Sequence, residues 1–282
     1  MRVRRVGVLE LLSSRRLRSP SERAAAAMFI RQTASIGPQA VSAWCRRAGH
    51  DVHYAVWDGT GEPHRRLPRD LDVVFIACHS PASHLAYALA RLFRRRGAAT
   101  VIGGPHATSF PGDCLRFFDT AVGRCDEALT LRILEDPDGS RGALDCGAMT
   151  TAFPTVAERL PEIRRSAFLW GRPHPATVIP LLASTGCPYT CDFCIDWDRD
   201  YLPLSDDALE EELSWIAGNW PGVKIGFHDP NFGVRFDPVM AALERQAPGP
   251  ANRYLMQCSL AVLNRERMGR LRETGCYYIA PS

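Results

Sequence analysis

Short runs of aliphatic and β-branched residues alternate along this chain with longer segments in which apolar positions recur every three or four residues. That alternation predicts strands joined by crossover helices, and therefore a parallel α/β architecture. In the first half it predicts strands over 3–11, 51–57, 71–78, 99–104 and 120–123, with helices over 38–48, 84–96 and 126–136 and a short helix near 113–118. The run LDVVFIAC (71–78) is apolar without interruption after Asp72, as a strand covered on both faces must be. Gly49 and Gly97 stand where the helices before them should stop, and Arg94, Arg95 and Arg96 place positive charge at a helix C-terminus. About five strands with helices between them make a doubly wound, Rossmann-like sheet over residues 1–140.

Residues 141–175 are rich in Gly, Pro and small side chains and read as a linker. A second α/β series fills 176–282, with strands over 176–184, 223–229, 253–260 and 276–280 and helices over 204–220, 237–247 and 264–275. Ser205 is placed to cap the first of these helices. Four strands separated by three helices form either an open sheet or an incomplete barrel.

Composition narrows the function classes. With 46% hydrophobic residues in 282, the chain can fill a globular core. Its 34 basic and 31 acidic residues are interspersed, so no stripe of charge tracks a phosphate backbone and nucleic acid is not an expected partner. No stretch is apolar over the 18 or so residues that cross a membrane, and the N-terminal apolar run is short and broken by Glu10 and arginines. A cytoplasmic protein is expected, in which the ten cysteines serve as buried small hydrophobes, metal ligands or reactive groups. Those at 45, 78, 114, 125, 146, 258 and 276 are dispersed and suit packing.

Cys187, Cys191 and Cys194 differ in kind, because STGCPYTCDFC (184–194) puts them inside eight positions directly after a predicted strand. Gly186 and Pro188 allow a sharp loop that gathers three thiols. A structural zinc ion wants four ligands, usually as two separated pairs, and no second C-x2-C occurs; His174 or Cys258 would have to complete it. A [4Fe–4S] cluster held by three cysteines instead leaves one iron open to a ligand. The spacing alone leaves both metals in play.

A strand followed by GCPYTCDFC, with an aromatic residue directly before the third cysteine, resembles the cluster loop of the radical S-adenosylmethionine (radical SAM) enzymes. The resemblance implies that Cys187, Cys191 and Cys194 hold a [4Fe–4S] cluster and that Phe193 lies beside the adenine of S-adenosylmethionine. The cofactor's amino and carboxylate groups would chelate the open iron, and an electron from the cluster would release a 5′-deoxyadenosyl radical that takes hydrogen from substrate. GFHDPNFG (226–233) resembles the family's second strand and following loop, which makes Asp229 and Asn231 candidates to contact S-adenosylmethionine. An Asx–Pro turn closing a strand is the other reading of those residues. Gln257 and Ser259, two apart at the end of the third strand, are further candidates for the same cofactor.

The stretch VIGGPHATSFPGDCLRFFDTAVGRCDEAL (101–129) resembles the cobalamin-binding domain that precedes the barrel in one large subgroup of that family. Gly103 and Gly104 at a strand's carboxyl end would let a flat ligand approach the backbone, with Ser80, His106 and Gly123 on the same edge. A lone histidine beside a proline more often makes hydrogen bonds than ligates metal, and the D-x-H-x-x-G loop whose histidine binds cobalt in some cobalamin proteins is absent. The subgroup's usual G-E-G-E is replaced here by Gly123, Arg124, Cys125, Asp126 and Glu127. The resemblance implies cobalamin-dependent methylation of an unactivated carbon in secondary metabolism, with a small-molecule substrate and an external electron donor such as a flavodoxin or ferredoxin. It also admits a ring-forming or rearranging enzyme of the tetrapyrrole-cyclase type. A radical SAM barrel has six strand–helix units and only four strands are predicted here, so the chain is expected to be a fragment of a longer protein; a non-catalytic cofactor- or zinc-binding partner protein is the remaining alternative.

Overall fold

The computed structural model describes residues 2–148, 151–194, 199–246 and 252–281. It divides into two units, one built from 1–148 and 159–172, the other from 149–158 and 173–282.

In the first unit the chain runs β1 (Arg5–Leu11), α1 (Pro20–Met28), α2 (Ile36–Arg47), β2 (Asp51–Trp57), β3 (Val73–Cys78), α3 (Ser83–Arg95) and β4 (Ala99–Gly103). It continues through α4 (Pro105–Ser109), α5 (Pro111–Cys114), β5 (Thr120–Val122), α6 (Glu127–Glu135), β6 (Gly142–Leu144) and α7 (Leu160–Ala167). The six strands form one sheet in the order β2-β1-β3-β4-β5-β6, and every pairing is parallel. Successive residues of a strand face opposite ways. Val6, Val8, Val73, Phe75 and Val101 accordingly join Cys45 and Ile133 in one core, whereas Leu9, Leu11, Val74, Ile76 and Ile102 join Ala86, Phe93 and Cys114 in the other. Burial on both faces is why the predicted run over 71–78 had no polar alternation to show.

The segment expected to be a linker, 141–175, holds β6 and α7. Three residues, Gly-Ala-Leu, are too few to display a strand period, and α7 begins at a Leu-Pro step inside a Pro-rich stretch, so neither element announces itself in the pattern. Both pack into the first unit. β6 pairs with β5, and α7 lies against β2 and α2, where Glu162 accepts from Ser42 Oγ at 2.8 Å and pairs with Arg46 at 3.0 Å. α1 likewise falls where no helix was expected, although its signal was present: Ser19 and Glu22 form a reciprocal capping box, with Pro20 in the first turn and four alanines following.

The second unit carries β7 (Val178–Leu181), β8 (Ser184–Thr185), β9 (Leu202–Pro203), α8 (Asp206–Asn219), β10 (Lys224–Phe227), α9 (Phe236–Arg245), β11 (Tyr254–Cys258), α10 (Arg265–Glu273) and β12 (Cys276–Pro281). β7, β10, β11 and β12 form a parallel sheet in chain order. Ile179, Leu181, Ile225, Phe227, Tyr254, Met256 and Cys258 occupy one face and are all buried. Ser205 caps α8 as expected, accepting from Ala208 N at 3.3 Å. Among the described residues no helix is long and apolar enough to cross a membrane.

Truncating a buried isoleucine of α7 should show whether this helix belongs to the core of the first unit. Ile163→Ala, at a side chain with no exposed surface, is expected to cost about 3 kcal/mol through lost burial and a residual cavity. The urea midpoint followed by far-UV circular dichroism should fall accordingly; an unchanged midpoint would mean that α7 does not pack there in solution.

Candidate functional site

The predicted strand over 176–184 is interrupted, and the interruption builds the mouth of the cysteine loop. β7 stops at Leu181, and Ser184 and Thr185 then pair antiparallel with Pro203 and Leu202. Leu204 N adds a bond to Ala183 O at 2.9 Å. The loop over 186–201 therefore leaves and returns through one closed base. Gly186 has φ +70°, and a Cβ there would collide with the carbonyl oxygen of Asp200, so only glycine fits where the two arms cross.

Within the loop Cys191 is exposed and Cys187 and Cys194 are half-buried, and all ten cysteines are free thiols. Cys194 N donates to Cys191 O at 3.0 Å, which turns the backbone between them. Phe193 is 88% exposed and Tyr189 is half-exposed. Residues 195–198 lie outside the described part of the chain. Among the described residues no three His, Cys, Asp or Glu side chains are grouped as a metal-binding set. The two residues able to complete a zinc site are engaged elsewhere. His174 Nδ1 accepts from Ala176 N at 3.3 Å, and Cys258 is fully buried, packed beside Gly233, with its thiol raised above the usual range by burial.

Asp229 and Asn231 sit after β10, and both turn inward. Asp229 is 3% exposed; its Oδ2 accepts from Ala183 N at 3.0 Å and its Oδ1 from Ser184 Oγ at 2.5 Å. Burial pushes its carboxyl up to about 6, against the downward pull of the bonds from Ser184 and Ala183. Asn231 Oδ1 accepts from Gly233 N at 3.1 Å, opening a short 3-10 turn, and from Ser259 N at 3.2 Å. These residues thus tie strand ends together: Asp229 holds the start of β8, and Asn231 joins the loops after β10 and β11. Gln257 is exposed on the face of β11 opposite Met256 and Cys258, and Ser259 is half-buried just beyond it.

In the first unit Ser80, Gly103, Gly104 and His106 collect at the carboxyl ends of β3 and β4, and Gly123 follows β5. Gly104 is required to be glycine, with φ +91° and the Cys78 backbone within 3.2 Å of where a Cβ would stand. Gly103 is different, since a Cβ there would meet nothing nearer than Val122 O at 4.0 Å. At Gly123 a Cβ would stand 2.6 Å from Asp145 Oδ2, the carboxylate that also binds Arg124. His106 is buried with both ring nitrogens engaged, Nε2 by Tyr87 Oη at 2.7 Å and Nδ1 by Ser80 Oγ at 3.1 Å. That arrangement makes it a hydrogen-bonding residue. Tyr87 and Ser184 escaped the sequence reading; Tyr87 looked like one more apolar position of a helix, and Ser184 like the polar end of a strand.

No family model matches the chain. It is 32% identical over 217 residues to the 2-(S-pantetheinyl)-carbapenam-3-carboxylate methyltransferase of Streptantibioticus cattleyicolor, a match over 66% of this chain and 31% of that protein. It is also 27% identical over 132 residues to the bacteriochlorophyllide d C-8(2)-methyltransferase of Chlorobaculum tepidum, over 45% of this chain and 28% of that protein. The chain thus spans about a third of the length of the curated relatives it matches, and both relatives are methyltransferases.

The buried Asp229 carboxyl gives the second unit a pH signature. Its folded value lies above the ordinary 3.8, so between about 4 and 6 the folded chain keeps a proton that the unfolded chain has released. The stabilising contribution is full below about 4 and is lost as the pH rises through about 6. Wild type should therefore lose stability relative to Asp229→Asn across that window, as read by urea unfolding at pH 4 and pH 7; a difference independent of pH would contradict the buried carboxyl.

Proposed function

We propose that this chain supplies the cofactor-binding parts of a radical SAM methyltransferase acting on an unactivated carbon of a secondary metabolite or its precursor. The observation that carries the proposal is the cysteine loop: three thiols on one exposed loop, clamped at its base, directly after the first strand of a parallel sheet laid down in chain order. That order is the one a partial (β/α) barrel would have. The two methyltransferase relatives support methylation over ring formation.

In this reading Cys187, Cys191 and Cys194 hold a [4Fe–4S] cluster, and the donor set fits, since a trio of thiols with no fourth cysteine in the loop is what leaves an iron open. Phe193, already solvent-facing, is free to cover the adenine of S-adenosylmethionine, and Gln257 and Ser259 stand at the carboxyl end of β11 to bind its polar groups. Asp229 and Asn231 act by holding the loops in place. Cobalamin is assigned to the carboxyl edge of the first unit, over the open Gly103 and beside Ser80. When bound, the cluster supplies single electrons and cobalamin a transferable methyl group, while the protein binds, orients and screens them from water. A cytoplasmic flavodoxin or ferredoxin would provide the electrons.

Anaerobic reconstitution tests this directly. Wild type should take up about four iron and four sulfide per chain, and the dithionite-reduced EPR signal should change on adding S-adenosylmethionine. Cys191→Ala should lose both properties. Retention of a full cluster by that variant, or stoichiometric zinc in anaerobically purified wild type, would overturn the assignment.

A further inference from the structure

At the sheet edge of the first unit, side chains from four segments form one unbroken hydrogen-bonded chain. Asp113 Oδ2 lies 2.5 Å from Tyr87 Oη, Tyr87 Oη lies 2.7 Å from His106 Nε2, and His106 Nδ1 lies 3.1 Å from Ser80 Oγ. The inner members are sequestered: Tyr87 is buried and stacked on Phe117 at 4.2 Å, and His106 is buried beside Phe110. Ser80 is exposed. Cys114 Sγ also stands 4.0 Å from Tyr87 Oη.

Counting protons gives this chain a direction. The bond from Tyr87, with Arg116 Nη1 at 3.1 Å from the other oxygen, holds the Asp113 carboxyl below its usual range, so at neutral pH Asp113 can only accept. The single phenolic proton of Tyr87 therefore points to Asp113. The Tyr87 oxygen is left to accept from His106, which must carry its proton on Nε2. Burial lowers the His106 value and keeps the ring neutral, so Nδ1 is a bare lone pair. Ser80 satisfies it by donating its hydroxyl proton inward, and only acceptor capacity is left on the outward side of Ser80 Oγ.

We infer that Tyr87 and Asp113 are positioning residues which, by fixing the tautomer of His106, make Ser80 a hydrogen-bond acceptor toward the molecule bound at this edge. That molecule presents an N–H or O–H donor, such as a carboxamide, to Ser80. A phosphodiester, the group that dinucleotides bring to such edges in doubly wound folds, has no proton to offer and would meet lone pair against lone pair. The ligand-class step rests on the proposed placement of a cofactor at this edge; the proton order does not.

The experiment is a long-range ¹⁵N–¹H correlation spectrum of the ¹⁵N-histidine-labelled chain at neutral pH. Wild-type His106 should show the neutral, Nε2-protonated pattern. Tyr87→Phe, which removes the acceptor for that proton, should convert it to the Nδ1-protonated pattern; if that variant fails to fold, Asp113→Ala on the half-exposed carboxylate should do the same by freeing the Tyr87 proton for Nε2. Nδ1 protonation in wild type would overturn the inference. With the same resonances as reporter, hydroxocobalamin should perturb His106 saturably, more weakly by about tenfold in Ser80→Ala, the size of one hydrogen bond. Inorganic sulfate, which carries no proton at neutral pH, should leave His106 unmoved, and saturable sulfate binding there would overturn the acceptor assignment. An Nε2-protonated His106 that ignores hydroxocobalamin would uphold the positioning roles and remove cobalamin from this edge.

Discussion

Parallel strand pairing is the constraint from which both units follow. A parallel pair cannot be closed by a tight turn, so the chain must return across a face of the sheet between strands, and every loop that leaves a carboxyl end collects on one edge. The six-stranded sheet puts Ser80, Gly104 and Gly123 on such an edge, and the four-stranded sheet does the same for the cysteine loop, Asp229 and Ser259. Residues far apart in sequence thereby become neighbours without any local signal that they should.

Buried polar groups then set the loops at those edges. A carboxylate out of water is unfavourable unless its lone pairs are met, and Asp229 meets them with a backbone amide and a hydroxyl from the segment that opens the cysteine loop. Asn231 plays the corresponding part between the loops after β10 and β11. Along the edge of the first unit, Tyr87 and Asp113 serve His106 in the same manner. At each edge a loop that follows a strand is thus fixed by hydrogen bonds from a polar side chain on another segment.

Periodicity revealed the α/β class, the strands of both parallel sheets apart from short β6, and most helix ends, because burial on alternate or on both faces leaves a mark in the order of residues. It failed at β6 and α7, whose contribution to the core comes from position in space; three residues of strand and two turns of helix within Gly- and Pro-rich sequence carry too little period to be seen. The cysteine trio was visible through spacing. The inward turn of Asp229 was not, since a carboxylate after a strand looks the same whether it faces a cofactor or a backbone amide 46 residues earlier. Nor could spacing foretell that His106 would have both nitrogens engaged, because its partners sit on α3 and just before it, 19 and 26 residues upstream.

The anchoring of Ala183 and Ser184 by Asp229 also has a kinetic side. The base of the cysteine loop is complete only when β10, made some 45 residues later, has docked beside β7. During synthesis the three thiols leave the ribosome before α8 and β10, which complete this base, and closing the contact brings together residues on either side of that whole segment. The base that holds the three thiols in place is therefore a long-range contact, and its integrity depends on the whole β7–α8–β10 segment more than on the loop itself.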